Sequence, residues 1–163
     1  MDQFRLYFRL GAEHILDFAG YDHMLFVVAL CALYVVQDWK KVLILITAFT
    51  IGHSITLALS TLNIINVRSN IIEFLIPLTI FISAFSNILR KQNTLRPGFI
   101  NVNYFFALFF GLIHGLGFSN YLKSLLGRDE SIVTQLLAFN LGLELGQLVI
   151  VGIFMVLGFI FVG

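Results

Sequence analysis

Phe109 to Phe118 reads FFGLIHGLGF, a run greasy enough for lipid that nevertheless sets a titratable His114 between glycines. An ionisable or strongly polar side chain at a bilayer centre costs on the order of 2 to 3 kcal/mol even on forgiving insertion scales, so it turns towards a partner, a cavity or an ion. Gly111 and Gly115 stand four residues apart beside His114 on the helical wheel, where their missing side chains let another helix backbone come close. The stretch therefore predicts a spanning helix and a polar site shared between helices. The other three histidines also lie in or next to apolar runs.

Composition agrees. With 59% hydrophobic and 12% charged residues over 163 positions, and a mean hydropathy of +0.95, the chain falls outside the range of soluble domains and predicts one polytopic membrane domain, residues 1–163. Eighteen phenylalanines against two prolines suit long lipid-facing helices better than the short alternating strands of a barrel, so the fold class is all-α, a transmembrane helical bundle. A net charge of +1 says nothing of partners, but no basic run points to nucleic acid, so no nucleic-acid partner is expected and the lipid bilayer is the expected surrounding. Cys31 is single, so no internal disulfide forms, and it reads as a small core residue. Met1-Asp2-Gln3 lacks the basic start of a secretion signal, and insertion through the chain's own helices is expected.

Outward from the central stretch, residues 1–18 interleave charged and apolar side chains and read as an amphipathic interfacial helix, followed by a bend near Gly20. Spans are expected at about 21–36, 42–62, 71–89, 102–122 and 131–160, five in all. The last is too long for one upright crossing and must tilt or project. Lysine and arginine tie between the two sides, with Lys40, Lys41, Arg90, Lys91 and Arg96 against Arg5, Arg9, Arg68, Lys123 and Arg128. Concentration of the first set in two compact loops places it in the cytoplasm, with the N-terminus outside.

Polar residues recur on particular faces. Thr50, His53 and Ser54 form a stripe on the second span, Glu73 and Asn87 share a face of the third, and Asn140, Glu144 and Gln147 cluster on the last, with Gly142 and Gly146 opposite. His14 and Asp17 precede the bend, and Asp22 and His23 follow it. Counted by rise per residue, the histidines and carboxylates collect in the outer half, with Glu144 near mid-membrane. Imidazole with carboxylate is a ligand set for zinc, nickel, cobalt, copper(II) or non-haem iron, and the lack of thiolates argues against copper(I).

Plainer roles exist for each residue. A lone intramembrane histidine commonly bonds one helix to another. Asn70 and Glu73 have the spacing of a helix-start capping pair. His14 and Asp17 could be solvated, and Ser54, Asn140 and Gln147 either orient ligands or join helices. The glycines are read as packing devices. Because Gly142 and Gly146 face away from Glu144, they must meet either another helix of the bundle or a second copy of the protein, and a homodimer through the last helix is the expectation taken.

The strings GAEHI with GYDHMLF, FTIGHSITL, FGLIHGLGF and FNLGLELGQ, in this order from Gly11 to Gln147, resemble the HupE/UreJ family of bacterial membrane proteins. The resemblance implies an inner-membrane permease for nickel or cobalt associated with hydrogenase and urease accessory genes. It points to His14, Asp22, His23, His53, His114 and Glu144 as motif residues, and members often continue into a further helix. A divalent permease is thus the leading expectation, with nickel, cobalt or zinc as the ion. The alternative is an intramembrane hydrolase in which three histidines hold a metal that activates water, and Asp22 or Glu144 serves as base.

Overall fold

The computed structural model describes residues 3–17, 20–89, 97–125 and 132–162. Among these, six α-helices and one short 3-10 turn occur, with no strand: α1 (Gln3–Leu16), α2 (Tyr21–Cys31), the 3-10 turn Val36–Asp38, α3 (Trp39–Thr61), α4 (Ser69–Leu89), α5 (Pro97–Leu125) and α6 (Ile132–Val162). Four of them, α3 to α6, are individually long and apolar enough to cross a membrane, and the bent pair α1–α2 brings the number to as many as five. The protein is a multi-pass, all-helical membrane protein.

The first expected span differs from the helix observed. Apolar sequence continues to Val36, but α2 stops at Cys31 after 11 residues, a length of about 16 Å that cannot cross a hydrocarbon core of about 30 Å alone. Tyr34 bends back to donate its backbone N–H to the Cys31 carbonyl, and Val35 is extended, a conformation its β-branched side chain favours. The Tyr34 ring is buried, and its hydroxyl accepts a hydrogen bond from Asn103 Nδ2 at 2.9 Å. α1 and α2 meet at 72°, so together they enter the bundle as a broken element.

α1 also has more to do than lie at an interface. Its apolar face buries Tyr7, Gly11 and Ile15 along α6, while Arg9 and Glu13 pair on the exposed face at 2.6 Å. The approach is backbone to backbone: a Cβ at Gly11 would strike the Phe139 carbonyl, one at Gly142 the Phe8 carbonyl, and one at Gly146 the Ile15 side chain. This corrects the homodimer surface expected from Gly142 and Gly146. α1 of the same chain already fills that stripe, leaving no room for a second copy.

α3 and α5 are joined in the same manner. Gly52 abuts the Leu108 carbonyl, Gly111 that of Phe49, and Gly115 that of His53. The start of α3 carries an Asp38–Lys41 ion pair at 2.6 Å, with the Lys40 ammonium 5.6 Å from the Trp39 ring, a headgroup-level arrangement. Two apolar clusters result, one around Phe26, Leu45, Phe49 and Phe110, the other around Tyr7, Ile15, Leu57 and Phe139.

Overpacking such a contact costs roughly 1 to 3 kcal/mol. Gly142→Leu should therefore lower the thermal unfolding temperature in detergent, while Gly158→Leu, where a side chain meets nothing within 4 Å, should leave it unchanged. Equal effects at the two positions would remove the α1–α6 contact as their cause.

Candidate metal centre

Three broken or tightly joined elements bring the histidines together. The bend between α1 and α2 folds His14 back over His23, with ring centroids 4.6 Å apart. The glycine contact of α3 with α5 sets His53 and His114 on neighbouring backbones, and His23 lies beside both, 6.4 Å from the His53 ring and 5.0 Å from the His114 ring. One ligand nitrogen each from His14, His23 and His53 lies within 4.8 Å of the others. Two nitrogens on a tetrahedral zinc-like ion stand about 3.3 Å apart. The triad is thus nearly assembled, needing a contraction of about 1.5 Å at its widest.

The hydrogen bonds assign tautomers. Asn140 Nδ2 donates to the Leu136 carbonyl at 2.8 Å, which turns Asn140 Oδ1 towards His53 Nδ1 at 3.2 Å. That oxygen only accepts, so Nδ1 carries the proton and Nε2 of His53 presents a lone pair. Thr79 donates its hydroxyl to the Ile76 carbonyl at 2.7 Å and so receives His114 Nε2–H at 3.0 Å, leaving Nδ1 of His114 bare. His53 Nε2, His114 Nδ1, His14 Nε2 and both nitrogens of His23 are buried without a protein partner. An orphaned buried polar atom costs about 1 to 3 kcal/mol, so several converging in one pocket form a site that a cation would satisfy.

Aromatic rings wall the site. Phe118 lies 4.1 Å from the His14 ring and stacks on Phe139 at 4.7 Å, while Phe26 and Phe49 stand 4.9 and 5.4 Å from His114. Such a shell restricts water and keeps the ligand field made of neutral nitrogen donors. One side remains open: a cavity of about 460 Å³ reaches His14 and His23 between α2, α4 and α5, with Asp22, Ser69 and Glu73 at its wall.

The remaining sequence candidates take distinct places. Asp22 Oδ1 is 3.6 Å from His23 Nδ1, at the edge of the triad. Glu73 is exposed and faces the shared cavity, and Asp17 lines a neighbouring cavity with His14. Ser54 turns its hydroxyl back to the Thr50 carbonyl at 2.6 Å, away from any ligand role. Glu144 is not among the three-histidine group; its Oε1 accepts from Thr47 Oγ1 at 2.7 Å, and Gln147 Oε1 accepts from Thr50 Oγ1 at 2.9 Å, on the α3–α6 seam. Glu144, expected as a ligand, thus accepts a hydrogen bond between helices. Gly111 and Gly115 sit against α3, and Gly142 and Gly146 against α1. Thr79 was missed by sequence reading; its spacing from Ser83 and Ser86 along one side of α4 was the available signal.

A model of the HupE / UreJ protein family matches residues 1–163, the whole chain. The chain belongs to the HupE/UreJ family. No curated protein and no solved structure matches it. In this HupE/UreJ protein the buried group of His14, His23 and His53 could hold a metal ion.

Loss of a hydrogen bond that orients a ligand typically weakens metal binding about 10- to 100-fold. Asn140→Leu should reduce affinity for nickel or zinc by that order in a competition titration with a chelator, with the helical content unchanged. Undiminished affinity would make Asn140 a packing residue only.

Proposed function

We propose that this protein binds a divalent transition-metal ion, of the nickel, cobalt or zinc type, and carries it across the bacterial inner membrane, its N-terminus outside. The reading is carried by one observation: three imidazoles, drawn from three helices, bring ligand nitrogens within 4.8 Å of one another in a buried pocket where they lack other partners. Nitrogen donors without thiolate suit these borderline ions. Membership of the HupE/UreJ family supports cargo over resident cofactor, since the resemblance implies permeases. His14, His23 and His53 bind the ion, His114 extends the set, and Asp22 sits where it can steer a cation towards His23. A hydrolase would need a base beside the metal, and Glu144, one of its two candidates, is engaged by Thr47.

The test is flux into vesicles. Purified protein in liposomes with an internal metal-sensitive dye should pass nickel or cobalt faster than protein-free vesicles. His23→Ala should lose both bound metal and flux, because His23 adjoins all three other histidines. A wild type that binds metal yet passes none would overturn transport, and a His23→Ala protein with full metal content would overturn the site.

A further inference from the structure

The histidine centre accounts for capture, but an ion must also leave towards the other membrane face. Two cavities lie along the same side of α4, one towards each end. The larger, about 460 Å³, reaches the histidines near the start of the helix, beside Glu73 and Ile76. The smaller, about 60 Å³ and so room for a few waters, lies near its end, with Ser83, Ser86, Asn87 and Asn103 on a wall otherwise made of apolar side chains such as Phe106 and Phe110. From Glu73 to Asn87 is 14 residues, a rise of about 21 Å, most of a hydrocarbon core.

Between the cavities stands one polar contact. Thr79 lies one turn from Ile76, which walls the first cavity, and one turn from Ser83, which walls the second, and its hydroxyl holds His114 Nε2–H at 3.0 Å. Ser83 in turn donates to the Thr79 carbonyl at 2.9 Å, so hydroxyls continue the line inward. The bare Nδ1 of His114, whose ring is 5.0 Å from that of His23, makes it the next nitrogen for an ion leaving the triad. Pro77 sits inside α4 at this level. Its ring removes the backbone hydrogen bond to the Glu73 carbonyl, which makes this turn the weak point of the helix.

We propose that the groove between α2, α4 and α5 is the translocation route, and that the Thr79–His114 contact beside Pro77 is its gate, closed here with the histidine side open. The proposal builds on the transport reading and names its path. It also gives the polar residues of the far half, Asn87 and Asn103, a common place at the exit. Asn87 Nδ2 donates to the Ala29 carbonyl of α2, and Asn103 Nδ2 to the Tyr34 hydroxyl just beyond it, so the asparagines tie α2 and the turn that follows to the exit.

The experiment uses full-length protein in liposomes with a nickel-sensitive dye inside. In a Cys31→Ala background, Ser86→Cys is modified with a bulky charged thiol reagent from both sides, and labelling is verified by mass. Flux should fall to that of protein-free vesicles while nickel bound per protein stays at the unmodified value. Labelled protein that carries nickel at the unmodified rate would overturn the route. So would block by the same reagent at Thr47→Cys without block at Ser86→Cys, which would assign passage to the α3–α6 seam. Thr79→Val keeps the side-chain shape but removes the hydroxyl, and should speed flux about five-fold, the worth of one hydrogen bond; an unchanged or slower rate would overturn the gate. Wild-type protein that binds nickel and carries none would overturn transport itself, a result distinct from failure of the labelled variant alone.

Discussion

Close backbone contact between helices is the constraint on which this molecule depends. In lipid there is no hydrophobic gain from pressing one apolar helix on another, so association comes from packing and from interhelical hydrogen bonds. Glycine supplies the packing twice: Gly52, Gly111 and Gly115 zip α3 to α5, and Gly11, Gly142 and Gly146 zip α1 to α6. The first zip puts His53 and His114 on facing backbones, and the second fixes α1 so that His14 can fold over His23. Both contacts are steric, yet the geometry of the centre follows from them. Hydrogen bonds across the α3–α6 seam, from Thr47 to Glu144 and from Thr50 to Gln147, then lock one pair against the other.

α2 and α4 are built differently. α2 is only 11 residues long, and α4 carries a proline within its span. The glycine-joined pairs hold His14, His53 and His114, α2 brings His23 to them, and the cavities open beside α2 and α4.

Much of this was legible in the sequence, and the losses have physical causes. Depth could be counted, so the gathering of histidines and the all-helical class followed from hydropathy and rise per residue. Partners could not. A glycine stripe demands a close neighbour without naming it, which is why Gly142 and Gly146 were assigned to a second copy although α1 fills them. An amphipathic pattern like that of α1 looks the same whether its apolar face meets lipid or another helix. Hydropathy does not register where a helix stops, so Tyr21 to Val36 read as one span. Glu144 shows the limit of the helical wheel: it separates Glu144 from the glycine stripe but does not name Thr47 of α3 as its partner. Thr79 escaped notice because a hydroxyl in a membrane helix usually bonds its own backbone, as it does here, and its second bond to His114 exists only in the folded bundle.

The tautomers fixed by Asn140 and Thr79 bear on energetics as well as geometry. The triad offers imidazole nitrogens and no carboxylate, and Asp22 lies at its edge. A divalent ion held there is not neutralised by its ligands and keeps close to its full charge within the low-dielectric bundle. The membrane voltage then acts on that charge directly. Moving two elementary charges through 100 mV amounts to about 4.6 kcal/mol, a pull comparable with the binding energy of a weak site. On the transport reading proposed above, a cage of imidazoles leaves the ion's charge exposed to the electrical gradient.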